Sequence, residues 1–348
     1  MMPEEWPVAA PAANGTAPAR PAGRGRLATV RRDFFLDPEK RLTEQERALM
    51  TAMLHCLVGD VGAALRAALP NGRVAANDDG DAALIEVLIA SGLLNEPELM
   101  ALLLRRADEE RIATAARARS GRREARVLQG LVSHDYGAIA AAAMALILGR
   151  GRRRDRFGQC LIAFDDLSAS GADALVHAVA AGLRRELAAG RSLADADLEL
   201  AEASDQVLDH RDDERGIDAL IAALVHFLEE AGGATDELVL AAANEGEIAF
   251  VAEVLARRAG VPTGPALEEL FSGDAGYVMA LLRAAGVSRD FAAGLLAGIG
   301  DLLGIEDAAR AIDLFDGMTD TQAQAERSWL LTAPAYRAAL DCLGQDRG

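Results

Sequence analysis

Lysine is all but missing from this chain of 348 residues: Lys40 is the only one, and every other basic side chain is arginine. Aromatics are scarce, at 4%, so a core has to be built from Leu, Val, Ile and a great deal of Ala, side chains that favour close helix–helix approach. The three cysteines, Cys56, Cys160 and Cys342, stand far apart with no C-x-x-C spacing. That argues against a disulfide framework or a zinc knuckle, and a reducing cytoplasm fits best. Cys56 and Cys160 lie among apolar residues and read as small core fillers. No apolar run reaches the roughly 18 residues that a membrane span needs, and the amino terminus lacks the basic-then-apolar order of a signal peptide. Strand-type alternation is hard to find anywhere.

Acid and helix are what the chain has in quantity. With a formal net charge of −18, a polyanion would approach against the field of the whole molecule, so neither nucleic acid nor an anionic membrane is the expected partner. Residues 1–30 are Pro, Ala and Gly with isolated charges, a composition that cannot bury enough apolar surface to offset its ordering entropy and reads as a disordered tail. Through Arg32 this tail carries five Arg against two Glu. Phe34, Phe35 and Leu36 are then expected to anchor the start of the fold.

Helical periodicity covers the rest. Thr43 followed by Glu46 is a capping box opening a helix that carries Leu49, Met53, Leu57 and Val61. Past a Gly-, Asn- and Asp-rich break at 70–80, helices are expected over 81–91, 96–107, 108–120, 122–132 and 135–148, then over 171–190, 193–208 and 217–230. The stretch 244–304 is the most clearly punctuated. Ile248, Val251, Val254 and Leu255 recur at helical spacing until Gly260 and Pro262 stop them. Thr263 can cap the next helix, with Pro265 in its first turn; Ser288 can cap the one that carries Phe291, Leu295 and Ile299. Each of these helices is expected to have one wet and one dry face. A last pair is expected over 305–316 and 320–345.

These units predict an all-α fold of HEAT-like helical hairpins, stacked as an α-solenoid or an irregular helical bundle. They divide into an N-terminal helical domain, 31–160, and a C-terminal helical-repeat domain, 161–348. A constant offset of 139 relates Glu98-Leu99, Ala113, Arg119 and Gly121 to Glu237-Leu238, Ala252, Arg258 and Gly260, consistent with two related halves.

Near the end of the N-terminal domain lies RGRRRDRFG, with five arginines in seven residues: Arg150, Arg152, Arg153, Arg154 and Arg156. Read as a loop, it is the candidate anion-binding site, for phosphate or nucleic acid; the competing reading is that it pairs with neighbouring Asp and Glu. His134-Asp135, and Asp209-His210 with Asp212 and Asp213, invite a metal, yet neither cluster has the second half that three or four converging ligands require. Two segments, VLARRAGVPTGPALEELF and ALLRAAGVSRDFAAGLLAGI, have the rhythm of a helix-turn-helix. Their second helices carry Glu268 and Glu269, or are mostly apolar, so both read as packing hairpins.

Six segments in order, Phe34-Phe35-Leu36, Arg153 to Gly158, Asp165-Asp166-Leu167, Ala259 to Pro262, Leu281 to Gly286 and Pro334-Ala335-Tyr336, resemble a bacterial family of HEAT-like helical proteins catalogued only as a domain of unknown function. The resemblance covers about residues 30–345. It implies an all-helical cytoplasmic protein of unassigned activity. Relatives often carry an aromatic pair after the Asp-Asp-Leu segment, where this chain has Leu175-Val176-His177-Ala178-Val179.

The expected function is that of a non-catalytic helical-repeat scaffold that binds a protein partner, in signalling or regulation, without a cofactor. The alternatives are phosphate or nucleic-acid binding through Arg150–Arg156 and, behind that, a metal-dependent hydrolase.

Overall fold

The computed structural model describes residues 42–70, 78–120, 126–189 and 192–343. The chain divides into two units, Met1–Glu44 and Gln45–Gly348. The expected tail and the Phe34-Phe35-Leu36 anchor lie outside the described residues, as does most of the expected break at 70–80.

Among the described residues there are sixteen α-helices and no strand, so the fold is all-α. In chain order they are α1 (Glu44–Ala68), α2 (Asp78–Ser91), α3 (Pro97–Ser120), α4 (Arg126–Leu131), α5 (Gly137–Arg152), α6 (Ala169–Leu187), α7 (Leu193–Asp209) and α8 (Ile217–Glu230). Then follow α9 (Asp236–Asn244), α10 (Ile248–Ala259), α11 (Thr263–Leu270), α12 (Ala275–Ala284), α13 (Arg289–Ile299), α14 (Ala308–Gly317), α15 (Asp320–Leu330) and α16 (Pro334–Cys342).

The core is arranged around α10. Every residue from Ile248 to Ala256 is buried, and α3, α8, α9, α11 and α12 all pack against this helix. The wet face expected of it does not exist. Its single charge in that run, Glu253, is neutralised in place: Arg257 Nε donates to Glu253 Oε1 at 2.6 Å, and the Thr263 hydroxyl donates to Oε2. Thr263 therefore is the first residue of α11 and ties it to α10; the cap position falls on Pro262. Ser288 does cap α13, accepting from Phe291 N, and Gly260 ends α10 with a left-handed φ of 67°.

Three other expectations change. The helices expected at 96–107 and 108–120 are one helix, α3, because the charged run between them holds Arg106–Glu109 and Asp108–Arg111 pairs at i,i+3, which support a helix rather than end it. The last expected helix is two, α15 and α16, separated at Ala333-Pro334, where proline disfavours helical geometry in the residue before it and suits the first helical position itself. And the offset of 139 sets one continuous helix, α3, against two, α9 and α10, with a left-handed Gly246 (φ 80°) between them.

Elements from either side of residue 160, where the sequence suggests a boundary, share the same core. Helix α5 packs along α8, α4 along α9 and α3 along α10, and the buried cluster extends from Ile112 to Leu330. Among the described residues one helix, α1, is long and apolar enough to cross a membrane by length and composition, which amends the expectation that no such run exists. Within the fold its Met53, Leu57, Val58, Val61 and Leu65 are buried, and its buried Arg66 lies 2.7 Å from Asp81 of α2.

Candidate functional site

The arginine stretch is only partly a loop. Arg150 and Arg152 belong to the last turn of α5 and Arg153 follows it as the C-cap. The chain then doubles back: Leu161 N donates to Arg153 O, Asp155 N to Gln159 O, and an antiparallel bridge joins Arg154 to Cys160. Asp155 Oδ1 holds the tip by accepting from Phe157 N and Gln159 N. At that tip Arg156 lies over the Phe157 ring, 4.7 Å from its centroid.

Three of the five arginines are engaged by carboxylates. Arg153 forks onto Asp166, Nε to Oδ2 at 2.6 Å and Nη2 to Oδ1 at 2.9 Å, both side chains buried. Arg154 forks onto Glu110 of α3 at 2.9 and 2.7 Å. Arg150 Nη1 lies 2.6 Å from Glu247. The fold brings these three together along a cavity of about 290 Å³, with Arg106 and Arg117 of α3 on its other side. Arg152 and Arg156 are exposed and face elsewhere. Cys160 also lines the cavity, and burial pushes its thiol pKa up, away from the thiolate.

A larger recess, of about 750 Å³, runs between α3, the turn 165–168, the start of α8 and α11. Its apolar lining residues include Leu99, Leu102, Leu104, Leu167, Leu267 and Phe271. Its charged lining residues are mostly acids: Glu98, Asp108, Asp165, Asp166, Asp213, Asp218 and Glu268, against Arg105 and Arg211. A second, smaller hollow shares Arg105, Asp218, Ala219, Gly264 and Leu267 with it and extends it toward Glu253 and Thr263.

Sequence reasoning did not single out this groove, because its walls come from four segments far apart in the chain. Glu98, Arg105 and Asp218 carry no motif. Glu98 accepts hydrogen bonds from the Ser168 and Ser170 hydroxyls at the start of α6, and these hold its carboxyl below the usual range. Asp218 sits in the first turn of α8, where Arg105 Nη2 and Arg106 Nη2 donate to it at 2.6 and 2.8 Å.

The other constellations resolve into local structure. His134 Nδ1 accepts from Tyr136 N, and the His210 ring is 2.5 Å from Gln206 O. Asp212 caps the turn at 213–215, and Asp213 pairs with Arg211. Among the described residues no three His, Cys, Asp or Glu gather as a metal set. Cys56, expected as a core filler, is exposed on α1. The helix-turn-helix rhythm at α10–α11 belongs to two helices packed on each other with Glu269 buried.

Two of these carboxylates tie stability to pH. Burial works to raise the Asp218 and Glu110 carboxyls, but Arg106 and Arg105 outweigh it at Asp218, and Arg154 and Arg117 at Glu110, so both end below the usual range. A depressed carboxyl contributes stability that is present above its unfolded value, about 4, and is lost as pH falls through the folded one. The Asp218→Asn chain is therefore expected to be less stable than the native chain at neutral pH, with the gap in urea midpoint closing below about pH 4. A gap that stays constant with pH would contradict this.

Residues 85–328 match the family model DUF2336, described as an uncharacterised protein conserved in bacteria. No curated protein and no solved structure matches the chain.

Proposed function

The chain belongs to the DUF2336 family of uncharacterised bacterial proteins, and from that premise we propose that it is a non-catalytic helical scaffold holding a segment of a protein partner in the groove between α3 and α11. The observation that carries this reading is the groove itself, some 750 Å³ lined by leucines and Phe271 together with a set of carboxylates. Apolar contact area with a few placed polar groups is what a protein segment needs in order to dock. The anion-binding alternative has less support, since Arg150, Arg153 and Arg154 each face a carboxylate already.

Site-specific photo-crosslinking of the full-length chain in its native host tests the proposal. A photoreactive residue at Gly264, which lines the groove, is expected to trap a discrete protein adduct. One at Leu198, exposed on α7 away from the groove, is not. Equal trapping at both positions, or none at Gly264, would refute the groove as the docking site.

A further inference from the structure

In three ion pairs around the groove the acid is the outward member and the guanidinium lies behind it, whereas at Asp108–Arg111 and Asp166–Arg153 the acid is the more buried of the two. Asp213 is 73% exposed against 13% for Arg211, Glu268 is 62% against 6% for Arg337, and Asp218 is 46% against 21% for Arg105. Glu98 is exposed with only serine hydroxyls on it. A molecule approaching Glu98, Asp213, Asp218 and Glu268 from solvent therefore meets carboxylates first, and it does so on a chain of net charge −18. Potentials of that sign select and steer a partner of the opposite sign.

We infer that the occupant of the groove is a basic amphipathic segment of a partner protein, its apolar residues against Leu104 and Phe271 and its arginines or lysines on Glu98, Asp213 and Glu268. The inference rests on the groove being the docking site. Leu104 is 40% exposed, so an apolar anchor has surface to cover. Gly264, which lines the groove, has open space at its Cβ position, with no atom within 4 Å.

The test uses the full chain and three labelled peptides of about sixteen residues with leucine at helical i, i+3, i+4, i+7 spacing and Arg, Gln or Glu elsewhere. The Arg peptide is expected to bind, more weakly as salt rises. Gly264→Phe, which adds a ring at a groove position where the Cβ itself meets no atom within 4 Å, is expected to abolish that binding. Glu98→Gln with Asp213→Asn is expected to weaken it about tenfold. If the Gln peptide binds as tightly as the Arg peptide and Gly264→Phe abolishes both, the charge inference fails while the groove survives as a docking site. Arg-peptide binding indifferent to Gly264→Phe is adventitious attraction to an acidic surface and overturns the inference. So does concentration-dependent self-association that Gly264→Phe removes, which would make the occupant a second copy of the chain.

Discussion

Asp166→Ala is expected to lower the free energy of unfolding by about 3–5 kcal/mol, the usual cost of removing one partner from a buried ion pair. The Asp166 side chain is 1% exposed and accepts four hydrogen bonds: two from Arg153, one from Ala163 N at 2.9 Å and one from Ile217 N at 2.8 Å. Three segments meet on this one carboxylate: the end of α5, the turn 163–166 and the start of α8. Without it the Arg153 guanidinium stays buried with only the Gly149 and Arg215 carbonyls as acceptors. The double variant Arg153→Met/Asp166→Leu removes both charges together and is expected to recover much of the loss. Urea titration of the native chain, the single and the double variants reads both effects. A single-variant loss under about 1 kcal/mol would mean that the knot is peripheral to stability.

Two of the three segments that meet there are visible in the sequence, as Arg153 to Gly158 and as Asp165-Asp166-Leu167, and their contact is not. A run of five arginines reads as an outward basic loop when charge is summed locally. Whether a guanidinium turns in or out depends on the carboxylate facing it, and Glu110 and Glu247 lie 44 and 97 residues from Arg154 and Arg150. Helix content was legible because periodicity and capping are local: Ser288, Gly260 and the spacing of Phe291, Leu295 and Ile299 all act as read. The burial of α10 from Ile248 to Ala256 was written in IAFVAEVLA, which carries one charge in nine residues. Reading only every third or fourth residue hid it. The groove was illegible for a different reason, since Glu98, Asp165, Arg211 and Glu268 become neighbours only when α3, α8 and α11 are packed around α10.

In that packing the turn before α10 meets the backbone of α3 directly. Gly246, in the turn between α9 and α10, has φ 80°, and a Cβ on it would lie 2.6 Å from the Ala113 Cα and 3.1 Å from the Ala113 N of α3. Gly246→Ala is therefore expected to cost roughly 3 kcal/mol or more, the sum of left-handed strain at a non-glycine residue and of overpacking. Gly232 separates the two contributions. It has φ 65° in the turn between α8 and α9, with no atom within 4 Å of its Cβ position, so Gly232→Ala is expected to cost only the strain, about 1–2 kcal/mol. Because two of the atoms met at Gly246 are main-chain atoms of α3, trimming Ala113 to glycine is expected not to rescue Gly246→Ala. Helix α3 must then move off the turn, and with it Leu102, Leu104 and Arg105 along one wall of the groove. The Gly246→Ala chain is thus expected to lose peptide binding along with stability, whereas the Gly232→Ala chain keeps it. Equal losses in the two variants would mean that α3 yields at this contact and does not hold the groove open.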